Sequence, residues 1–331
     1  MITFIITTYN LEDWLLQRCL ESIVTQGLGR DEYEILVVDD ESRVSPKHVV
    51  DGFAHRANIT LYVQKHARQG AARNLALQHA RGEWIQFVDG DDYLFAHSVA
   101  PCLKVAQANG LDLLMFGFGE VDDEEPHDVT RKETDLSEEP LVISTGNEYM
   151  RHHNLFGACW PMMFRRELLQ EAEGREVLRF AENIYIEDEE FVTMLVWRAR
   201  RMARVARVVY AYYQRQGSTV HSHTREHIDE LFLNYAVVMR RLVAFAHERE
   251  GADTDGLWRK VHTLAIDLLR RALRQEDWEA RWAQVADELR TLGLYPIADG
   301  RYSMKYTMFR CLSRCGVGRK LLRIYEKRIE R

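Results

Sequence analysis

Strand and helix patterns alternate regularly through about the first ninety residues of the chain. Apolar, largely β-branched runs predict strands at residues 2–7, 34–38, 59–63 and 84–88. The segments between these runs show helical spacing or helix-start signals at residues 11–26, 46–54 and 71–79. Strands that alternate with helices form a mainly parallel sheet with right-handed crossovers. We therefore expect an α/β fold in which helices flank a mainly parallel sheet.

Polar residues follow three of the four predicted strands. They are Thr8, Tyr9 and Asn10 after the first strand, Asp39 and Asp40 after the second, and Asp89, Asp91 and Asp92 after the fourth. The carboxyl ends of parallel strands lie at one edge of a sheet, and ligands bind in the crevice outside that edge. This placement predicts a polar binding site at one rim of the sheet.

The acidic turn Asp89-Gly90-Asp91-Asp92 directly follows the apolar run at residues 84–88. Carboxylates this close repel one another, and a hard divalent cation, which prefers oxygen ligands, relieves that repulsion. Such a cation can bridge to the phosphates of a nucleotide. A solvated acidic turn is the alternative for these residues taken alone, since Asp and Gly both favour turns. Their position on the predicted rim favours the metal site.

Several classes of protein are poorly supported by the sequence. No glycine fingerprint follows the first strand and no GxxxxGK[ST] loop occurs, which argues against dinucleotide-binding and P-loop proteins. The net charge of −7 argues against general nucleic-acid binding. We see no signal peptide and no apolar stretch of about 18 residues, and the five cysteines are scattered. These features predict a cytoplasmic protein with reduced thiols.

The pattern changes in the second half of the chain. An acidic, polar stretch at residues 120–140 predicts a loop, and a strand pattern follows later at residues 205–213. From residue 226 onward the apolar spacing is helical throughout. We therefore expect two domains, an α/β domain over residues 1–220 and a helical C-terminal region over residues 221–331.

The C-terminal tail is basic and amphipathic. Residues 301–331 contain ten Lys or Arg and two acids, Glu326 and Glu330, with apolar residues interleaved. Such a segment suits an anionic membrane surface, so a peripheral position on a membrane is one expectation. A helix packed on the rest of the protein with a solvated basic face, or a partner-binding helix, is the alternative.

The order of these motifs resembles family 2 glycosyltransferases with the GT-A fold. The segments that carry the resemblance are Phe4-Ile5-Ile6-Thr7-Thr8-Tyr9-Asn10, Leu36-Val37-Val38-Asp39-Asp40-Glu41-Ser42, Gly70-Ala71-Ala72-Arg73-Asn74 and Phe87-Val88-Asp89-Gly90-Asp91-Asp92. The resemblance is close over about residues 1–95 and looser to about residue 220. The chain has Thr7 where the family commonly has Pro and Glu41 where it commonly has Gly.

The resemblance implies an inverting, metal-dependent transferase that moves a sugar from a nucleoside diphosphate, UDP by preference, to an acceptor. The acceptor would be a saccharide or a polyprenyl-linked saccharide in bacterial surface polysaccharide assembly, at the inner face of the cytoplasmic membrane. Mn²⁺ or Mg²⁺ would offset the charge of the departing diphosphate. A nucleotidyltransferase and a degenerate sugar-nucleotide-binding or scaffold protein are the alternative functions.

Roles for individual residues also follow from the resemblance. The residues implied to bind the nucleotide are Thr8, Tyr9, Asp39, Asp40, Arg73, Asp89 and Gly90. The primary implied metal ligand is Asp91. The other implied ligands are Asp89, Asp92 in a supporting role, and His221. Asp188 would be the general base that deprotonates the acceptor hydroxyl, with Glu187 orienting it or contacting the acceptor. Trp160 is similar to an aromatic residue on the family's acceptor side.

Each role has a plainer alternative. Asp39 and Asp40 could cap the following turn, and Arg73 could be a surface cation. Glu187 and Asp188 could simply suit the dipole at a helix N-terminus. His221 could be an ordinary loop residue, and Trp160 could be part of the core.

Overall fold

The structure is a computed structural model that describes residues 1–122, 140–170, 177–214, 224–249, 252–300 and 302–329. Its strands are β1 (Ile2–Thr8), β2 (Tyr33–Asp39), β3 (Ile59–Val63), β4 (Trp84–Asp89), β5 (Tyr93–Leu94), β6 (Leu113–Val121), β7 (Met162–Arg165) and β8 (Met202–Tyr213). The four strands predicted in the first ninety or so residues are confirmed to within two residues at each end.

All eight strands form one sheet in the order β3-β2-β1-β4-β7-β6-β8-β5. Strands β1 to β4 are mutually parallel where they pair, and β6 runs parallel to β8. The short strand β7 is antiparallel to both β4 and β6, and β5 is antiparallel to β8. The sheet is therefore mainly parallel, as the sequence predicts.

Helices accompany the sheet and then make up the C-terminal part. They are α1 (Asp13–Val24), α2 (Lys47–Phe53), α3 (Arg68–His79), α4 (Val99–Ala108), α5 (Gly146–His152), α6 (Glu187–Arg198), α7 (Arg225–His247), α8 (Asp255–Arg274), α9 (Trp278–Thr291), α10 (Met304–Ser313) and α11 (Gly316–Ile329). Within the described residues, none of them is both long and apolar enough to cross a bilayer.

The core of the α/β part forms because its central strands are apolar on both faces. Every residue of β1 and β2 is buried, as expected for strands covered by helices on either side. Helix α1 contributes a stripe with helical spacing that includes Leu16, Leu20 and Ile23. Cys19, Cys102 and Cys159 are buried, Cys311 and Cys315 are exposed, and all five are free thiols.

The chain divides into two compact units. The first comprises residues 1–146 and 157–223, and the second comprises residues 147–156 and 224–331. The second unit thus includes residues 147–156, which a single boundary near residue 220 assigns to the first. In the second unit α8 packs against α7, α9 and α11.

The register of the first unit aligns the strand ends. Thr8 of β1 pairs with Asp39 of β2, and Thr7 pairs with Asp89 of β4. The polar residues that follow these strands consequently lie at one rim, as predicted.

Candidate active site

The acidic turn begins where β4 ends. The amide of Asp92 donates to the carbonyl of Asp89 at 3.0 Å, which closes the turn. A Cβ atom at Gly90 would lie 2.9 Å from the carbonyl oxygen of Thr7, so the turn can approach β1 only with glycine at this position. Gly90 therefore has a structural reason to be glycine.

Asp92 is held inside the fold by β8. Its Oδ2 accepts from the Tyr210 hydroxyl at 2.6 Å, and its Oδ1 accepts from the Tyr213 amide at 2.8 Å. The Tyr210 hydroxyl also accepts from the Asp89 amide at 3.1 Å. Because Asp92 is only 1% exposed and both its oxygens accept bonds from β8, the structure gives it a positioning role, and its supporting place among the metal ligands stays a prediction.

Asp89 remains partly open at the rim. Gln69 donates to Asp89 Oδ1 at 2.7 Å and to Thr7 Oγ1 at 3.1 Å, while 21% of the Asp89 side chain is exposed. Burial raises the pKa of Asp89 to about 6, with Asp91 adding to the rise and Arg73 opposing it. A cation or a donor from a ligand would favour the ionised form.

Asp91 is fixed through its backbone. Arg18 of α1 donates from Nη2 to the Asp91 carbonyl at 2.8 Å. The Arg18 guanidinium lies over the rings of Tyr213 and Tyr93, 4.3 and 4.7 Å from their centroids. Arg18 thereby sets the backbone from which the Asp91 carboxylate extends.

A buried arginine joins the acidic turn to the second acidic segment. Arg73 of α3 is 1% exposed. Its Nη2 donates to Asp89 Oδ1 at 3.0 Å, and its Nη1 donates to Glu187 Oε1 at 3.0 Å and to Asp188 Oδ1. Burial alone would lower the pKa of Arg73, but these carboxylates hold it well above its ordinary value.

This arrangement excludes a surface position for Arg73. Its guanidinium is engaged by three carboxylates beneath the rim, and its predicted contact with a nucleotide stays a prediction. Arg73 is a positioning residue. It brings Asp188 next to the acidic turn although about a hundred residues separate them in sequence.

Helix α6 presents the second acidic segment. Its first turn contains Glu187, Asp188, Glu189 and Glu190, which suits the helix dipole. The preceding residue, Ile186, has φ of 61°, an uncommon and strained conformation for a β-branched side chain. Burial, with the adjacent Asp188 carboxylate, raises the pKa of Glu187 to about 8 against the opposing effect of Arg73.

The chain leading into α6 is anchored to α3. The Asn74 side chain donates to the Phe180 carbonyl and accepts from the Phe180 amide, both at 2.9 Å. A Cβ atom at Gly70 would lie 2.6 Å from the Ala181 carbonyl, so this contact requires glycine. The motif Gly70 to Asn74 is thus used to hold α6 in place.

The loop after β2 is tied to the start of α3. Asp40 is 4% exposed and accepts from the amides of Ala67 and Arg68 at 2.9 and 3.0 Å, so it caps the start of α3. Asp39 Oδ1 accepts from the Ser42 amide at 3.1 Å. Both residues therefore cap a neighbouring segment, Asp40 at the start of α3 and Asp39 at the turn after β2. Their predicted contacts with a nucleotide stay predictions.

Tyr9 supplies an exposed aromatic face beside this loop. It is 49% exposed and stacks on His66, with ring centroids 4.5 Å apart. His66 in turn contacts Asp40 Oδ2 at 2.9 Å. Thr8, at the end of β1, is 5% exposed and contributes mainly to the wall beneath.

Two further predictions have different outcomes. Trp160 is 6% exposed and stacks on Tyr210 at 4.3 Å, so it is part of the core and not an open acceptor surface. His221 lies outside the described residues, and its predicted role stays a prediction.

The carboxylates fit a divalent cation that shares its coordination with a nucleotide. Among the described residues no group of three or more His, Cys, Asp and Glu is arranged to hold a metal ion by itself. Mg²⁺ and similar ions are commonly bound by one or two carboxylates together with substrate phosphates and water. Asp91 and Asp89 are the oxygen donors at the rim that match this pattern.

Sequence reasoning missed three residues that shape the site: Gln69, Tyr210 and Arg18. Arg18 lies four residues after Trp14 on α1 and one helical turn away, a spacing that could have suggested an aromatic–cation pair. For Gln69 and Tyr210 the sequence carries no comparable signal, because their partners are brought to them only by the fold.

Comparison with known proteins agrees with this geometry. The sequence profile of "Glycosyl transferase family 2" matches residues 3–172, which is more than half of the chain. The chain belongs to glycosyl transferase family 2. Membership of this family favours glycosyl transfer over the nucleotidyltransferase and non-enzymatic alternatives.

Two bacterial relatives illustrate the sequence similarity. The glycosyltransferase EpsJ of Bacillus subtilis is 25% identical over 233 residues, covering 70% of this chain and 66% of EpsJ. The poly(ribitol-phosphate) β-N-acetylglucosaminyltransferase TarS of Staphylococcus aureus is 29% identical over 113 residues, covering 34% of this chain and 20% of TarS. This chain thus spans just under two thirds of the former relative's length and a fifth of the latter's.

Solved structures share the fold of this family 2 member. Residues 1–349 of S. aureus TarS, crystallised with UDP-GlcNAc, superpose with a TM-score of 0.71 and 17% identity, covering 99% of this chain and 91% of that one. The mannosyltransferase PcManGT of Pyrobaculum calidifontis, in complex with GDP-Man and Mn²⁺, gives a TM-score of 0.52 and 17% identity, covering 98% of this chain and 84% of that one. The similarity to TarS confirms the predicted GT-A fold with a helical C-terminal region.

Proposed function

We propose that the chain is an inverting, metal-dependent transferase that moves a sugar from a nucleoside diphosphate, UDP by preference, to a saccharide or lipid-linked saccharide acceptor. The observation that carries this proposal is the convergence of two acidic groups. Asp89 of the rim turn and Asp188 of α6 both accept from the same buried guanidinium of Arg73. In this proposal Asp89 would help to hold the diphosphate and Asp188 would remove a proton, and their shared contact with Arg73 supports two such roles in one site.

The two groups suit the two halves of the transfer. In an inverting reaction the acceptor oxygen attacks the anomeric carbon in line with the departing diphosphate, through an oxocarbenium-like state. Asp188 is 21% exposed, which lets it reach an acceptor hydroxyl, and it would accept that hydroxyl's proton as the new bond forms. Arg73 donates to both Glu187 and Asp188 and would hold the Asp188 carboxylate in place during the proton transfer.

Asp91 and Asp89 would hold a divalent cation together with the diphosphate. When bound, Mn²⁺ or Mg²⁺ offsets the negative charge that develops on the leaving group. Asp92, Tyr210 and Arg18 fix the turn that carries these carboxylates. The complex of PcManGT with GDP-Man and Mn²⁺ supports a metal on this fold.

The complex of TarS with UDP-GlcNAc supports UDP as the nucleotide. The exposed ring of Tyr9, already stacked on His66, offers a face on which a nucleotide base can stack. Asp39, buried at the neighbouring strand end, would accept a hydrogen bond from the base. TarS, by its name a poly(ribitol-phosphate) β-N-acetylglucosaminyltransferase, supports a polymeric acceptor. The proposal extends this to a saccharide or lipid-linked saccharide acceptor in surface polysaccharide assembly, on the inner side of the membrane.

A donor screen tests the proposal. The purified chain is incubated with Mn²⁺ and UDP-, GDP- or ADP-sugars, alone and with saccharide or polyprenyl-diphosphate-linked saccharide acceptors, and release of nucleotide is measured. We expect release from a UDP-sugar that an acceptor accelerates and EDTA abolishes. Transfer at an undiminished rate in EDTA, or no release from any donor with any acceptor, would contradict the proposal.

A further inference from the structure

An apolar stripe on α11 is left exposed. Residues Gly318, Leu322 and Glu326, spaced four apart, form the buried face of this helix. A second face, also at helical spacing, is apolar but open to solvent: Val317 (73% exposed), Leu321 (53%), Ile324 (55%), Tyr325 (46%) and Ile329 (51%). A helix that needed only to pack on its own unit would have polar residues on this second face.

The neighbouring helix α10 repeats the arrangement. Its buried residues are Tyr306, Phe309 and Ser313. Met304 is 90% exposed and Met308 is 47% exposed, one helical turn apart. Because α10 and α11 pack against each other, the exposed residues of both helices belong to the same region of the second unit.

Cations surround these apolar residues. Lys305, Arg314, Lys320, Lys327 and Arg328 are all exposed. The one acid in the two helices, Glu326, is 1% exposed and is bound by Arg270 at 2.7 Å and Arg274 at 2.8 Å. The outer surface of α10 and α11 is therefore positive, on a chain whose net charge is −7.

We propose that the exposed face of α10 and α11 docks on an anionic lipid membrane, with the apolar stripe of α11 inserted at the headgroup level. An interfacial helix combines an exposed apolar face with a Lys- and Arg-rich flank, which is the combination seen here. Anionic headgroups complement the exposed cations, whereas a second copy of the same face would bring like charges together. The buried contacts of Leu322 and Glu326 hold α11 on its unit while the stripe faces outward.

Vesicle binding of the full chain tests this surface without any nucleotide, so its outcome is independent of the proposed reaction. The wild-type chain is sedimented with vesicles of phosphatidylcholine alone or of phosphatidylcholine with phosphatidylglycerol. We expect binding to the anionic vesicles on the order of tenfold stronger than to the neutral ones, falling as salt is raised. A thiol-reactive, environment-sensitive dye on the exposed Cys311 and Cys315 should shift to the blue on binding.

Two variants with matched controls locate the surface. Leu321→Gln/Ile324→Gln removes apolar contact, and Lys320→Gln/Lys327→Gln removes positive charge. Each double variant should bind the anionic vesicles more weakly, on the order of tenfold. The controls lie in the first unit. They are Val142→Gln, at a 78% exposed valine, and Lys65→Gln/Lys104→Gln, at exposed lysines, and both should bind vesicles as the wild type does. Unchanged thermal unfolding shows that the variants remain folded.

The proposal is overturned if neutral and anionic vesicles bind equally, or if the stripe variant binds as strongly as the wild type. It is also overturned if the wild-type chain does not bind vesicles and instead sediments as a dimer, while the Leu321→Gln/Ile324→Gln variant sediments as a monomer. That last result would assign the surface to self-association.

Discussion

The site depends on a single buried side chain, Arg73, that neutralises carboxylates from two distant segments. A buried guanidinium loses hydration, and that loss is tolerable only because Asp89, Glu187 and Asp188 accept its hydrogen bonds. Removing it would leave these carboxylates facing one another. The same residue that positions the proposed general base, Asp188, is therefore also needed for stability.

We predict that Arg73→Gln lowers the free energy of unfolding by about 3 kcal/mol or more at neutral pH. Arg73 opposes the raised pKa values of Asp89, about 6, and Glu187, about 8, so its loss raises both further. A carboxyl with a raised pKa in the folded state costs stability as pH rises through that value. The deficit of the variant, measured by urea unfolding, should thus shrink toward about pH 5 and grow toward about pH 8. A deficit independent of pH would show that Arg73 does not act through these carboxylates.

The proposed general base is tested by Asp188→Asn. Amide nitrogen and oxygen keep the size of the side chain but cannot take up the acceptor proton. We predict a loss in turnover on the order of 10²–10⁴-fold with little change in affinity for UDP, measured by acceptor-dependent UDP release and by calorimetry. Asp31→Asn, at an exposed acid of the first unit, is the control and should keep full turnover. An equally active Asp188→Asn variant would remove Asp188 from the mechanism.

Much of the site at the residue scale could be predicted from the sequence. Asp89 and Asp91 follow a strand directly, so their place at the rim depends only on local pattern and parallel pairing. The contact of Arg73 with Glu187 and Asp188 could not be predicted, because more than a hundred residues separate them. The contact of Asp40 with the start of α3 could not be predicted either, because it depends on the path of the intervening chain. For Trp160 the sequence left both an acceptor-side position and core packing open, because burial is not visible in a single aromatic residue.

At the scale of elements, helix α3 connects the two halves of the site. It carries Gln69 and Arg73 toward Asp89, and Asn74 toward the segment that precedes α6. The close approach of that segment at Gly70 leaves no room for a side chain. The geometry of the site therefore depends on how α3 and this segment meet.

Substitutions at two helical glycines test that contact. Gly70→Ala places a Cβ atom 2.6 Å from the Ala181 carbonyl, and we predict a loss of about 2 kcal/mol together with reduced turnover. Gly52→Ala in α2 meets nothing within 4 Å and should instead stabilise the chain by about 0.5–1 kcal/mol. Thermal unfolding of both variants makes the comparison. If Gly70→Ala were as well tolerated as Gly52→Ala, the contact would be looser than described.

Some elements could be predicted and others could not. Strands β1 to β4 are continuous apolar runs between turn signals, which is the strongest pattern a parallel strand leaves. The two-residue strand β5 and the four-residue strand β7 are too short to show periodicity. Their place in the sheet depends on antiparallel neighbours. Strand β5 pairs with β8, and strand β7 pairs with β4 and β6.

At the scale of the whole molecule, the second unit is held together through a buried charge. Glu326 of α11 is 1% exposed and accepts from Arg270 and Arg274 of α8. This contact fixes the helix whose outer face is proposed to meet the membrane. Within the basic C-terminal tail, Glu326 therefore stabilises the packing of α11 on α8.

We predict that Glu326→Gln destabilises the second unit by about 1–2 kcal/mol, because two arginines lose their ionised acceptor. The control is Glu288→Gln, whose partner Arg240 is 55% exposed and whose effect should stay below about 0.5 kcal/mol. Both are measured by denaturant unfolding, and UDP binding should be unchanged in both. A Glu326→Gln variant as stable as the Glu288→Gln variant would show that the buried contact does not hold α11.

The central claim is that the acidic turn at the sheet rim binds a nucleoside diphosphate through a divalent cation. The most direct measurement is the unfolding temperature of the wild-type chain and of Asp91→Asn in the presence of UDP, with and without Mn²⁺. Asp51→Asn, at an exposed carboxylate, is the control. A ligand that binds only the folded state raises the unfolding temperature. We predict a rise with UDP and Mn²⁺ together in the wild type and in Asp51→Asn, and none in Asp91→Asn. An equal rise in Asp91→Asn, or a full rise with UDP in EDTA, would contradict the claim.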